Sequence, residues 1–155
     1  MAKYQQAAQE ILQTFEEVLD EMEMKHETNE EDLRIHFYYQ GEDMRHRMNI
    51  SIDAERANFR LVVVLPFDIA EEKSIDIAEA VCRINDTLMI GQFTYDMGQD
   101  IAFEACQLFI DSMISRELIE ASINLSISTV GRYDDRLLAI NKGYLQANEV
   151  FKGLD

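Results

Sequence analysis

With 155 residues, 47% of them hydrophobic and 28% charged, the chain has the make-up of one folded domain (residues 1–155) with a substantial core. One proline, six glycines and no low-complexity tract or repeat exclude a linker-rich or repetitive architecture. Thirty acids against 14 bases leave a formal net charge of −16, a field that repels phosphate backbones and anionic lipid and so argues against nucleic-acid and membrane-surface binding.

In chain order, the first element is a helix over residues 4–24. Ala7, Ala8, Ile11, Leu12, Phe15, Val18, Leu19 and Met22 follow the i, i+3, i+4 spacing, with Glu10, Glu16, Glu17, Asp20 and Glu21 on the wet side. The acidic residues 29–32 break that pattern. Leu33, Ile35, Phe37 and Tyr39 then alternate with Arg34, His36, Tyr38 and Gln40, which is strand periodicity. After a turn at Gly41, Glu42 and Asp43, Met48, Ile50 and Ile52 form a second alternating run. Residues 59–65 form a third, whose Val62, Val63 and Val64 predict a central strand apolar on both faces. Pro66 ends it, because proline cannot donate to a ladder.

Asp68 with Glu71 resembles a capping box, followed by a helical stripe of Ile69, Ile77, Val81, Ile84 and Leu88. A hairpin is expected next, over residues 90–110. Phe93 and Tyr95 alternate with polar residues before its turn, where Gly98 supplies the positive φ. Ile101, Phe103, Ala105 and Phe109 share one side of the returning strand. The remainder is helical, with one stripe of Leu118, Ile119, Ser122, Leu125 and Thr129 and another of Leu137, Ile140, Tyr144, Ala147 and Val150. Between them lies Gly131, where a bend or restart is expected. The expected fold is α+β: a five-stranded, mostly antiparallel sheet with helices packed on it, in the order α-β-β-β-α-β-β-α.

No catalytic constellation emerges, and enzyme activity is not expected. There is no GxSxG, Walker-type loop or GxGxxG. The recurrent serines of the last helix suit close packing or a solvated side. Acidic pairs carry little information in so acidic a chain. Cys82 and Cys106 have no CxxC neighbour and lie inside regular elements, so reduced, buried thiols in a cytoplasmic protein are expected. The longest apolar run, residues 61–67, is too short to cross a bilayer, and the N-terminus lacks the apolar stretch of a signal peptide. No cofactor is implied. Asp96, Gly98 and Asp100 fall short of a calcium loop in length and ligands. His36 and His46 are candidate cross-strand neighbours that would bind a metal only with help from Glu42 or Asp43, and a solvated strand face is the simpler expectation for them.

Apolar residues opposite the main core face stand out instead. Tyr38, Val62, Val64, Cys106, Leu108 and Ile110 would be exposed under a single layer of helices, unless the C-terminal helix wraps around or a second chain or bound segment covers them. Tyr38, Val62, Val64, Cys106 and Leu108 are therefore the candidate partner-binding or dimer face.

The stretch from Ile84-Asn85 through residues 90–96 to the strand at 101–104 resembles the YbjN-like family, in which a helix ending in asparagine leads to a G-x-F strand, a glycine turn and a second strand. Residues 62–66, the acidic helix start at Glu71 and Glu72, and the small-residue run 128–133 fit the same pattern, so the resemblance covers about residues 59–144. The family is similar in fold to type III secretion chaperones and is described as sensory-transduction regulators. The resemblance implies a non-enzymatic protein that forms a homodimer and binds a segment of another protein. It transfers Gly91 and Phe93 as fold residues and no catalytic or ligand residue. The functional expectation is a chaperone-like or regulatory adaptor that captures a partner segment on its sheet or edge strand. The alternative is a small-molecule or metal-binding sensor built on His36, His46 and nearby acids.

Overall fold

A computed structural model describes residues 2–97 and 100–154. The expected Gly98 turn lies outside the described residues. Helix α1 (Gln5–Glu21) is followed by β1 (Glu27–Asn29), β2 (Arg34–Gln40), β3 (Arg45–Asp53) and β4 (Asn58–Val64). Helix α2 (Ser74–Thr87), β5 (Gln92–Tyr95), β6 (Ile101–Leu108) and helix α3 (Arg116–Asn141) complete the order. The sheet is antiparallel throughout, in the order β1-β2-β3-β4-β6-β5.

The sheet has six strands rather than five. The extra strand falls where the acidic run breaks the helix pattern. Asn29 closes a tight turn there: its side chain donates to Asp32 Oδ2 at 2.9 Å and accepts the Asp32 N–H at 3.0 Å. Three residues of β1 then pair with Arg34–His36. So short a strand leaves no alternation long enough to detect.

Helices α1, α2 and α3 lie on one face of the sheet, because strands β2 to β6 present their apolar sets to the same side. That side carries Ile35, Phe37 and Tyr39 on β2, Met48, Ile50 and Ile52 on β3, Phe59, Leu61 and Val63 on β4, and Phe93, Ile101, Phe103 and Ala105 on the hairpin. Helix α1 meets it with Ala8, Ile11, Leu12, Phe15, Val18 and Leu19. Phe15 packs edge-to-face on Phe59 at 5.2 Å. Six phenylalanines (15, 37, 59, 93, 103 and 109) are among the largest fully buried side chains. Each contributes about 1.5–3 kcal/mol of transfer free energy.

Helix α2 starts later than expected. Residues Glu71–Lys73 form a 3-10 turn with no side-chain cap, so the Asp68/Glu71 capping box does not form. Asn141 from α3 secures this loop instead, accepting the Ala70 N–H at 2.8 Å and donating to the Asp68 carbonyl at 2.8 Å. Helix α3 runs unbroken through Gly131, which is exposed and has open space around it. Ser115 caps it by accepting the Leu118 N–H at 3.1 Å. Its buried stripe is Ile119, Ile123, Ser126, Val130, Tyr133, Asp134, Leu137 and Ile140, so Leu118 lies outside the core and Tyr144 lies past the helix end and exposed. Buried Ser126 satisfies its hydroxyl on the Ser122 carbonyl at 2.8 Å.

Cys82 and Cys106 are both free and exposed, not buried. Cys82 is on the outer side of α2, next to the buried Val81, and Cys106 faces away from the helices. Gly91 has φ +75°, and a Cβ there would run into the Phe103 ring, so glycine is required where the chain turns into β5.

Candidate functional site

The outer edge of β6 is only half covered. Strand β5 pairs with Ile101–Glu104 and then stops, because the turn at Gly91 carries the chain away. Ala105–Leu108 therefore pair with β4 on one side and, among the described residues, have no strand on the other. The direction of their main-chain groups follows from alternation. Phe109 donates its N–H to Ala57 on the β4 side at 2.8 Å, so the N–H groups of Cys106 and Leu108 point outward. The Gln107 side chain donates to the Leu108 carbonyl at 2.8 Å and covers part of this edge.

Directly beneath, between β6 and α3, lies an apolar cleft of about 160 Å³. Phe59, Leu61 and Ala105 form its floor, and Ile90, Leu118 and Leu125 form its walls. Ile90 and Leu118 are partly open to solvent, as are Leu108 and Ile110 at the rim. A strand lying along this edge would meet outward N–H donors and would place alternate side chains in an apolar cleft.

The face of the sheet turned away from the helices is open, since α3 does not wrap around to cover it. Tyr38 is 50% exposed, Leu108 57%, and Cys106 is exposed, while Val62 and Val64 are half-buried. These residues do not form one apolar patch. In register, Arg47 stands between Tyr38 and Val64, and Val62 lies between Asn49 and Glu104. Arg60 is paired with Cys106. The face is mainly polar, with a shallow cleft of about 580 Å³ bordered by Arg34, Arg47 and Arg60 and, at its β1 end, by Glu27 and Asp32.

The two histidines of the metal reading lie on opposite faces. His36 pairs with Asn49 on the open face and reaches Glu27 at 3.0 Å. His46 pairs with Tyr39 and points into the core, where its Nε2 meets Asp134 Oδ2 at 2.7 Å. Both partners are almost completely buried. No group of three or more potential metal-ligating side chains occurs among the described residues. Glu42 and Asp43 sit exposed on the intervening turn. The His36/His46 ligand set is thus overturned, because one extra residue along a strand sends a side chain to the other face.

Sequence reasoning placed Cys106 and Leu108 on the open side and missed the cleft beside them. Leu118 was the available signal, since it falls one position off the 3–4 spacing of Ile119, Ile123, Ser126 and Val130. No helix is long and apolar enough to cross a membrane among the described residues.

Two solved structures share this architecture. The crystal structure of YbjN from E. coli matches with a TM-score of 0.62 at 12% identity, covering 87% of this chain and 94% of that one. The crystal structure of the ExsC–ExsE complex matches with a TM-score of 0.56 at 12% identity, covering 88% of this chain and 97% of that one. No curated protein matches the sequence. The YbjN family model, described as "putative bacterial sensory transduction regulator", matches residues 12–139. That span takes in the second half of α1, nearly all of α3 and the whole sheet between them, and the chain belongs to the YbjN family.

Proposed function

We propose that this chain is a non-enzymatic protein-binding module, chaperone-like or adaptor-like, that takes up an extended partner segment along the open half of β6. The observation that carries this reading is the pairing of outward main-chain donors at Cys106 and Leu108 with the apolar cleft under the same edge. Main-chain bonds supply general affinity, and the cleft selects apolar side chains at alternate positions. The structural likeness to ExsC, solved as a complex with ExsE, supports a protein as the partner. The resemblance also implies a homodimer, and exposed Met89, Ile90, Ile110 and Met113 around this edge offer apolar surface for a second copy.

The test is affinity capture from the native host's lysate at low and high salt, with mass-spectrometric identification, repeated with Leu108→Pro and Leu118→Asp. Proline at 108 removes an outward N–H and leaves the β4 ladder intact. The expected result is one dominant partner that survives high salt and is lost from both variants, whose circular dichroism and melting midpoint stay within a few degrees of the parent. A partner held equally well by both variants places the site elsewhere. Sedimentation of the chain alone shows whether a second copy occupies the edge.

A further inference from the structure

The open sheet face carries a concentration of positive charge that the chain's composition does not lead one to expect. Four of the nine arginines, Arg34, Arg45, Arg47 and Arg60, project from it, in a chain of net charge −16. Elsewhere several cations are held by acids of their own chain, as in Arg83 with Glu79, Lys73 with Asp76, and Arg116 with Glu17 and Glu21. Of the four arginines on the open face, only Arg60 has a carboxylate partner among the described residues, Glu104 at 3.6 Å. Arg47 donates to the neutral Asn49 amide at 3.0 Å, and Arg45 lies over the Tyr38 ring at 4.7 Å. Arg34 has no ion-pair or hydrogen-bond partner among the described residues. Of the other acids on or beside this face, Glu27 is engaged with His36 and Asp53 with Arg56, while Asp32, which also lines the cleft, is bonded to the Asn29 side chain.

We infer that this face is a docking surface for an acidic extended segment of a partner protein, held by Arg34, Arg47 and Arg60. The inference rests on the reading above in taking the partner to be a protein, and it concerns a different surface from the β6 edge.

Charge complementarity and spacing select this occupant. Arg34 and Arg60 flank Ser51 in one row across the sheet, about 10 Å apart at the backbone. Arg47 lies four residues from Ser51 along β3, about 13 Å away. A small anion needs donors that converge on one point. An extended chain repeats a same-side carboxylate about every 7 Å and matches a spread of this length. Guanidinium groups bind carboxylates through two parallel hydrogen bonds, which favours arginine over lysine at such a surface. Half-buried Val62 lies between the two charged rows and half-buried Val64 beside Arg47, and both suit apolar residues interspersed in the same segment. At physiological salt the Debye length is about 8 Å, so these direct contacts persist while the repulsion from the distant acids is screened.

The test uses a fluorescein-labelled peptide of about ten residues alternating Glu and Val, and its Lys-Val counterpart, followed by fluorescence anisotropy at about 50 mM and 500 mM salt. The expected result is salt-sensitive binding of the acidic peptide only. Arg34→Glu with Arg60→Glu should weaken it about tenfold or more, while Arg83→Glu on α2 and Leu118→Asp at the edge cleft leave it unchanged. No binding, equal binding of the two peptides, or an undiminished affinity of the double variant overturns the inference. Displacement by about 10 mM inorganic phosphate also overturns it and reassigns the cleft to a small anion. These outcomes leave the edge reading standing. That reading falls only if the lysate partner stays on the Leu108→Pro and Leu118→Asp variants.

Discussion

Asn85 at the end of α2 and Phe93 in β5 are joined by a pair of hydrogen bonds. The Asn85 amide donates to the Phe93 carbonyl at 2.8 Å and accepts the Phe93 N–H at 2.7 Å. One side chain thereby takes the place of a neighbouring strand on the outer edge of β5. The edge strand is blunted there, and on this side of the sheet the open main chain lies further along, on β6.

Replacing Asn85 by leucine removes both bonds and leaves two half-buried backbone groups without partners. The expected loss is about 2 kcal/mol in urea unfolding. A newly open β5 edge should also favour self-association, read as an earlier elution in size-exclusion chromatography. An unchanged urea midpoint would show that water replaces the amide without loss.

His46 and Asp134 are 88 positions apart and tie β3 to α3 through the core. Asp134 Oδ1 also accepts the Asp135 N–H at 2.7 Å, while His46 Nδ1 is buried without a partner. Removing one member of a buried pair strands the other, so Asp134→Ala alone should cost about 3–5 kcal/mol. The double variant His46→Leu with Asp134→Leu should recover much of that loss. A double-mutant cycle in chemical denaturation checks this, and strictly additive losses would mean the pair is not coupled.

Tyr39 packs against His46 at 5.4 Å, and its buried hydroxyl has no partner. Burial, with a smaller contribution from the Asp134 charge, pushes the hydroxyl above the usual phenol range. The folded state therefore prefers the neutral side chain. Its contribution is complete below the unfolded value of about 10 and is lost as pH rises beyond it. Tyr39→Phe should be neutral or stabilising by about 1 kcal/mol at pH 7 and should flatten the alkaline decline. Thermal melts from pH 7 to 11 compare the two proteins, and an equally steep decline in the variant would assign it to other groups.

Periodicity identified the strands of the central sheet well, because one buried face imposes a period of two and Ile35, Met48, Leu61 and Phe103 all obey it. The same logic placed Tyr38, Val62, Val64, Cys106 and Leu108 on the opposite side. It failed where an element is short or where packing overrides local preference. Strand β1 has three residues, the capping box yields to a clamp from Asn141, and Gly131 stays helical because nothing around it demands a break. Cys82 shows the limit of an apolar neighbourhood in sequence, since adjacent helical positions point about 100° apart.

From sequence alone came the α+β class, the direction in which most strand side chains point, and the family resemblance, which carried Gly91 over as a fold residue. Periodicity is a local property, written into each segment by the side it must bury. The tertiary structure alone decided which rows align across the sheet. It placed His36 and His46 on opposite faces, brought Asp134 to His46, left half of β6 unpaired over an apolar cleft, and gathered the arginines on one surface. Those features depend on register and on contacts between distant segments, and such contacts leave no repeating signal within the segments that make them.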